Sequence, residues 1–196
     1  MMNSNVVNDF VVKFANTNGT GSASANNMFA KAIMRMGIPV SAKNIFPSNI
    51  QGAPTWYEVR INENNFLGRR GGKTEIVVAM NAQSFVADLE DVKDGGYLLY
   101  DSSKKLPEHL IHSNINYLGI PISAICLKEY KNPRQRQLFK NVIYVGALAA
   151  LLEIEFDVLK TLVGDQFKGK EKLITPNIYA LELGYQYATN HFSCPL

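Results

Sequence analysis

Residues 10–26 read FVVKFANTNGTGSASAN, and the rest of the chain is organised around them. Phe10 to Ala15 is a run of β-branched and aromatic residues suited to a strand. Asn16 to Gly21 is a polar turn with two glycines, and Ser22 to Asn26 begins a helix in small residues. Backbone amides at such a turn, with the positive end of the helix, form a site for an anion. Gly19 and Gly21 allow left-handed backbone angles and let a ligand approach with no Cβ in the way. Any α/β domain needs a strand–Gly–helix turn, so the motif alone leaves packing and binding open. The surrounding charge favours binding. No acidic residue lies between Asp9 and Glu58, whereas Lys13, Lys31, Arg35 and Lys43 are basic.

The common phosphate motifs are incomplete here. A dinucleotide fingerprint wants G-x-G-x-x-G and an acidic residue about 20 positions later. Gly19-Thr20-Gly21 is followed by Ser22-Ala23-Ser24, and the first acid after it is Glu58. A nucleoside-triphosphate loop ends in Gly-Lys-Ser/Thr, and no lysine follows Gly21 until Lys31.

At 196 residues the chain has room for one well-buried domain. Its 46% hydrophobic and 19% charged residues are those of an ordinary globular protein. A net charge of +3 is too mild for a nucleic-acid binder, and no basic run carries interleaved aromatics. The start MMNSNVVNDF lacks the charged and apolar regions of a signal peptide, and Val142 to Leu152 is too short to span a bilayer. Only Cys126 and Cys194 are present, so a reducing cytoplasm is the default compartment. Two thiols do not hold an iron–sulfur cluster of the four-thiolate kind, so any redox chemistry would pass its electrons through another chain.

Ser22 to Met36 has helical apolar spacing at Met28, Phe29, Ala32, Ile33 and Met36, with Gly37 as a C-cap and Pro39 as a stop. Ile38 to Phe46 reads as a strand. The loop Phe46 to Thr55 carries Ser48, Asn49 and Gln51, which either cap their own turn or form a second wall of a ligand pocket. Trp56 to Ile61 alternates as a strand, Arg69 to Lys73 is a basic turn, and Glu75 to Met80 is another strand. A short helix covers Ser84 to Val92, Gly95-Gly96 reads as a turn, and Tyr97 to Tyr100 and Asn116 to Ile122 are the remaining strands. His109 and His112 have no third ligand or nucleophile near them and read as surface or packing residues. Three helices follow at Arg134 to Leu152, Phe156 to Phe167 and Glu171 to Ala188. The small residues Gly146 to Ala150 point to a close approach between the first of these and a neighbour. No serine–histidine–acid arrangement, zinc spacing or loop carboxylate pair is present.

Several segments together resemble a known family. They are Asn18-Gly-Thr-Gly-Ser-Ala-Ser-Ala-Asn26, Arg35-Met-Gly-Ile-Pro-Val40 and Lys43-Asn-Ile-Phe-Pro-Ser-Asn-Ile-Gln-Gly52. Pro54-Thr-Trp-Tyr-Glu-Val-Arg60, Gly95-Gly-Tyr-Leu-Leu-Tyr-Asp101 and Cys194-Pro-Leu196 continue the series in the same order. The chain resembles the gamma domain of 2-oxoacid:ferredoxin (acceptor) oxidoreductases, in the 2-oxoglutarate branch where that domain is the N-terminal part of the alpha subunit. The resemblance implies an α/β, Rossmann-like three-layer domain, with a mixed, mostly parallel sheet flanked by helices and a helical C-terminal part. It makes residues 1–196 one gamma domain and residues 192–196 the start of a linker to a thiamine-binding domain.

That family decarboxylates a 2-oxoacid on thiamine diphosphate, passes electrons through iron–sulfur clusters to ferredoxin, and releases the acyl group on coenzyme A. By resemblance this chain takes the coenzyme A side. Asn18, Gly19, Thr20, Gly21 and Ser22 would approach the phosphates, with Ser48, Asn49 and Gln51 on the facing loop and Lys43 beside it. Coenzyme A is then a substrate and no cofactor is held by this chain alone. Thiamine diphosphate, magnesium and the iron–sulfur cluster belong to the alpha and beta partner domains, and ferredoxin is met through the complex. Many members carry a denser G-x-G-G-x-G where this chain has Asn16 to Gly21, and an Arg-Gly-Gly where it has Ile50 to Ala53. Those departures define the alternative, a non-catalytic assembly domain of the same complex that has lost ligand binding.

Overall fold

In the computed structural model, residues 8–46, 50, 52–68 and 71–196 are described. The stretch around residue 16 forms strand β1 (Asp9–Thr17) and helix α1 (Ser22–Arg35). Then come β2 (Val40–Ile45), β3 (Pro54–Asn62), β4 (Thr74–Ala79), α2 (Phe85–Glu90), β5 (Val92–Asp101) and β6 (Asn116–Ile120). Helices α3 (Ile122–Glu129), α4 (Pro133–Leu151), α5 (Phe156–Gln166) and α6 (Ile174–His191) complete the order.

The strands form one sheet in the order β2-β3-β1-β4-β5-β6. β1 pairs parallel to β4, β4 to β5 and β5 to β6, while β3 runs antiparallel to both β1 and β2. Five strands therefore share one direction and β3 alone is reversed. The expected mixed, mostly parallel sheet is present.

Alternation along the strands divides the core between two faces. Val12, Phe14, Tyr57, Val59, Ile61, Ile76, Val78 and Leu99 face one large cluster with α1, α4 and α6. Phe14 lies at its centre, with ring centroids 5.3 Å from Phe29, 6.4 Å from Tyr57 and 5.8 Å from Tyr144. Val77, Ala79, Val92 and Leu98 face the other way and pack with Leu89 of α2 in a smaller cluster. The layers are thus unequal, thick over α1, α4 and α6 and thin over α2.

Helix α4 starts with Pro133 behind an Asn132 cap, whose side chain accepts from the amides of Arg134 and Gln135. Its middle lies against α6 at backbone distance. A Cβ added to Gly146 would fall 2.0 Å from the Leu181 carbonyl oxygen, and one added to Gly184 would fall 1.8 Å from that of Ile143. The small residues of α4 do mark a close approach, and the partner supplies a reciprocal glycine.

Three local expectations are corrected. Gly95-Gly96 is not a turn between elements, because β5 runs through both residues from Val92 to Asp101. Gly95 has φ 77°, and the β4–β5 register shifts between Thr74 and Ile76, so the glycines serve an irregularity inside a strand. The last strand stops at Ile120, and Pro121 leads into a helix, α3, that the apolar run Ile122 to Leu127 did not announce. Residues Glu171–Leu173 form a separate 3₁₀ turn ahead of α6.

Candidate functional site

The strand order places a switch point between β1 and β4. From β1 the chain crosses by α1 over β3 to β2 on one side of the sheet, and from β4 it continues by α2 to β5 on the other. Open α/β sheets bind ligands beyond the carboxyl ends of the strands at such a point. The β1–α1 turn stands there.

Gly19 (φ 85°) and Gly21 (φ 78°) take the left-handed conformation the sequence called for. Gly21 occupies the N-cap of α1 with no side-chain capping bond, and the first turn of α1 holds no acid. The helix presents its positive end without a counter-charge of its own. The turn is braced from the β2–β3 connection, where Asn18 N donates to Ala53 O at 2.9 Å and Gly52 N donates to Asn18 O at 3.1 Å. Within it, the Thr20 hydroxyl donates to Thr17 O at 2.8 Å.

A buried ring of hydrogen bonds holds this turn from below, and the sequence reading did not find it. Tyr144 Oη donates to Asn26 Oδ1 (2.6 Å), Asn26 Nδ2 to Asn16 Oδ1 (3.0 Å), and Asn16 Nδ2 to Tyr144 Oη (3.4 Å). All three residues are buried, and burial pushes the Tyr144 hydroxyl far above its ordinary range. Asn81 Nδ2 donates to Asn16 O at 3.0 Å, and Asn141 Nδ2 to Thr20 O at 2.9 Å. Leu138 completes the support, since its Cδ2 lies 2.8 Å from where a Cβ on Gly21 would sit. Leu138, Asn141 and Tyr144 repeat every three residues along one face of α4. The available signal was a tyrosine interrupting an apolar run and an asparagine on the buried side of α1.

Two cavities flank the turn. One of about 240 Å³ is lined by Asn18, Gly19, Gly21, Ser22 and Ala23, with Asn44, Phe46 and Trp56 opposite. The other, about 660 Å³, opens beyond the ends of β1, β4 and β5 and is lined by Thr17, Thr20, Asn81 and Asn141. Its lining also includes Phe85, Tyr100, Leu106 and Leu110, with Lys104, Lys105 and Lys140.

Of the residues singled out in the sequence, Asn18 to Ser22 lie together at the turn. Ser48, Asn49 and Gln51 fall outside the described residues. Lys43 is brought elsewhere. It stands opposite Glu58 in the β2–β3 register, in a separate cavity with Ser41, Arg60 and Leu67. Its neighbour Asn44, opposite Tyr57, lines both that cavity and the turn cavity.

Two of the four basic residues read from the sequence, Lys13 and Arg35, are compensated. Lys13 pairs with Asp91 and Arg35 with Asp165 at 2.6 Å, acids far away in the chain. Lys13 also stacks over Trp56, 5.3 Å from the ring centroid. The Trp56 indole donates to Asp88 at 2.7 Å and the Ser84 hydroxyl donates to the same carboxylate at 2.6 Å. Burial nevertheless outweighs those bonds and raises Asp88 above the usual carboxylate range.

Asp101, on the 660 Å³ cavity, behaves in the opposite way. Burial pushes it up, but hydroxyls and amides of Ser103 and Ser123 donate to it and hold it below the ordinary carboxylate value. It thereby caps α3 from a different strand. Cys126 is buried beneath, and burial pushes its thiol up to about 11, so it is an inert thiol rather than a nucleophile. Cys194 is exposed. His109 and His112 are both exposed. Among the described residues, no group of three or more His, Cys, Asp or Glu could hold a metal ion, and no helix is long and apolar enough to cross a membrane.

Residues 11–187 match the family model described as pyruvate ferredoxin/flavodoxin oxidoreductase. The chain belongs to that family. Within it, subunit alpha of 2-oxoacid:ferredoxin oxidoreductase 2 from Aeropyrum pernix is 24% identical over 90% of this chain and 33% of its own length. The 2-oxoglutarate synthase subunit KorC of Archaeoglobus fulgidus is 21% identical over 89% of this chain and 86% of its own length. The chain spans about a third of the length of the first curated relatives it matches. Among solved structures, the 2-oxoglutarate:ferredoxin oxidoreductase of Magnetococcus marinus, with 2-oxoglutarate, coenzyme A and succinyl-CoA bound, superposes with a TM-score of 0.83 at 26% identity. That match covers 96% of this chain and 32% of the other. The keto/oxoacid ferredoxin oxidoreductase gamma subunit of Geobacter sulfurreducens superposes with a TM-score of 0.70 at 22% identity, over 92% of this chain and 99% of its own. At 22% identity this likeness to the Geobacter sulfurreducens protein is one of fold.

Proposed function

We propose that this family member is the gamma component of a thiamine diphosphate-dependent 2-oxoacid:ferredoxin oxidoreductase, of the 2-oxoglutarate type, and presents coenzyme A to an acyl group formed on partner chains. The observation that carries the reading is the uncapped amino end of α1, where Gly19 and Gly21 in left-handed conformation open onto the 240 Å³ cavity. Backbone amides and a helix dipole at that point suit a phosphate. The substrate class is supported by the ligands named for the Magnetococcus marinus relative.

In this reading Asn18, Gly19, Thr20, Gly21 and Ser22 hold phosphate, and Ser48, Asn49 and Gln51, outside the described residues, join them by resemblance to the family. Lys43 stands beside them by resemblance, and Asn44, which lines the turn cavity, joins from β2. Thiamine diphosphate with magnesium, held by alpha and beta partner domains, supplies the decarboxylation, and their iron–sulfur cluster delivers electrons to ferredoxin. The two cysteines of this chain do not fit a cluster of the four-thiolate kind, so its own residues bind and orient the thiol substrate only. Residues 192–196 would lead toward the thiamine-binding partner.

The second reading is an assembly domain without ligand. It is favoured by Asn16-Thr17-Asn18 standing where many members have glycines, and it predicts docking without coenzyme A binding. Calorimetric titration of the chain with coenzyme A, with NAD as a control, separates the two. Two variants locate the site. Gly21→Val forces a β-branched residue to φ 78° and against Leu138, and should remove binding. Ala23→Glu changes an exposed residue in the first turn of α1, where a carboxylate favours the helix by about 0.3–1 kcal/mol while repelling a phosphate. It should melt no lower than the parent yet bind coenzyme A at least about tenfold more weakly. Undiminished affinity in Ala23→Glu would remove the turn from the site.

A further inference from the structure

We propose that the cavity over β2 and β3 lined by Lys43, Glu58 and Arg60 is a site for a small zwitterion, an α-amino acid with an apolar side chain. This goes beyond the coenzyme A reading and stands without it.

Strand register brings the site together. Ser41, Lys43 and Ile45 of β2 stand opposite Arg60, Glu58 and Trp56 of β3, so all six share one face of the sheet. It is the face that carries α2, because Glu58 is also opposite Lys13, and Lys13 is opposite Val77 of the cluster under that helix. The cluster covers β4 and β5. Over β2 and β3 the same face holds a cavity of about 300 Å³, which Leu67 and Gly68 also line. That volume is at the lower end of the roughly 300–1,000 Å³ of ligand sites, which suits a molecule of amino-acid size. The cavity shares only Asn44 with the turn cavity.

Charge selects the ligand. Arg60, 7% exposed, is spent within the protein. It pairs with Asp9 and donates to the carbonyl oxygens of Phe10, at 3.2 Å, and Ile61. Lys43 and Glu58 differ. Opposite charges facing each other on antiparallel strands are close enough to pair, yet neither residue joins an ion pair among the described residues. Lys13, on the other side of Glu58, is taken by Asp91. The cavity therefore offers one open cation and one open anion. A carboxylate or phosphate alone would meet Glu58, and an amine alone would meet Lys43. A molecule carrying both signs satisfies both with charge-assisted bonds. Ser41 adds a hydroxyl, and Ile45 and Leu67 give the lining an apolar part for an aliphatic side chain.

The test titrates the ¹⁵N-labelled 196-residue chain with three probes and follows its amide shifts. They are L-leucine, 4-methylpentanoate, which lacks the ammonium, and 3-methylbutylamine, which lacks the carboxylate. Leucine should saturate, with its largest shifts at residues 41–45 and 58–60, and each single-charge probe should bind about tenfold more weakly or worse. Glu58→Gln should weaken leucine by about tenfold and erase its advantage over 4-methylpentanoate. Lys43→Gln should erase the advantage over 3-methylbutylamine. Neither substitution breaks an ion pair among the described residues, so both variants should fold, and a thermal melt checks this. No saturation by leucine up to about 10 mM, tenfold above a millimolar Kd, would overturn the proposal. So would equal binding of the three probes, shifts at residues 19–22 in place of the two strands, or unchanged leucine affinity in both variants.

Discussion

Replacing Gly184 by alanine should destabilise the protein by about 2 kcal/mol, although alanine is the better helix former. In an isolated helix interior the exchange gains about 1 kcal/mol. Here the new Cβ would lie 1.8 Å from the Ile143 carbonyl oxygen, 2.8 Å from its carbon and 2.9 Å from Ala147 N. All three are backbone atoms of α4, which cannot rotate aside as a side chain could. A carbon–oxygen contact needs about 3.3 Å, so α6 must withdraw by about 1.5 Å along its closest stretch. Withdrawal would loosen Ile143, Ala147 and Leu181, all fully buried. Overpacking of this kind costs about 1–3 kcal/mol, and a backbone contact belongs at the upper end. Setting about 3 against the gain of about 1 leaves about 2 kcal/mol. For a chain of 196 residues that is a fall in Tm of about 4–8 °C.

Gly164 in α5 is the matched control, because a Cβ there meets nothing within 4 Å. Gly164→Ala should raise stability by about 0.5–1 kcal/mol. Urea unfolding followed by the single tryptophan, Trp56, gives both numbers from one experiment. If Gly164→Ala rises as expected and Gly184→Ala is also at or above the parent, the two helices do not cross as closely as described and the reasoning fails.

Other expectations follow from the buried polar groups. Tyr144→Phe deletes the hydroxyl that links Asn16 to Asn26, leaving a buried amide and carbonyl without it. The loss should be about 1–3 kcal/mol by urea unfolding, and a loss below about 0.5 kcal/mol would show that the ring does not close as drawn. The two perturbed carboxylates should give opposite pH signatures in a series of unfolding midpoints. Asp101 is held low, so its contribution is complete above the ordinary carboxylate value and disappears as pH falls through its lowered folded value. The advantage of the parent over Asp101→Asn should therefore be constant near neutrality and shrink on acidification. Asp88 is held high, so stability declines as pH rises from the ordinary value through the raised one and is level above it. Asp88→Asn should lack that decline, and parallel profiles for parent and variant would refute the assignment.

Local signals served well where one segment decides its own structure. The β-branched run ending in Asn16, the two glycines, Gly37 and Pro39 together fixed β1, the turn and α1 nearly to the residue. Glycine misled at Gly95-Gly96, because a turn and an irregular strand draw on the same backbone freedom. Helix α3 was missed because Ile122 to Leu127 has little polar alternation to mark a helix face. Charge misled for a different reason. Lys13 and Arg35 look unopposed within their own segment, yet their partners Asp91 and Asp165 lie 78 and 130 residues further on. The same distance hid the crevice, since nothing in the one-dimensional order sets Thr20, Asn81 and Asn141 on one cavity. Lys43 lines a cavity apart from the turn, and its neighbour Asn44 lines both that cavity and the turn's, a placement no one-dimensional spacing announces.

The reversal of β3 also bears on how the chain folds. β2 and β3 are antiparallel neighbours joined by a short connection and pair locally, from Ile45 opposite Trp56 to Val40 opposite Ile61. β1 precedes both in sequence but belongs between β3 and β4, matching Lys13 to Glu58 on one side and to Val77 on the other. The hairpin can therefore assemble early, while the central strand must close one loop of about 45 residues and another of about 64 before the sheet is continuous. Such non-local closure is the slow kind of step, on the millisecond-to-second scale of sheet-rich topologies. Until β1 is seated, the inner edges of β3 and β4 are open templates for another chain's strand. Refolding should then be sensitive to protein concentration until that strand inserts.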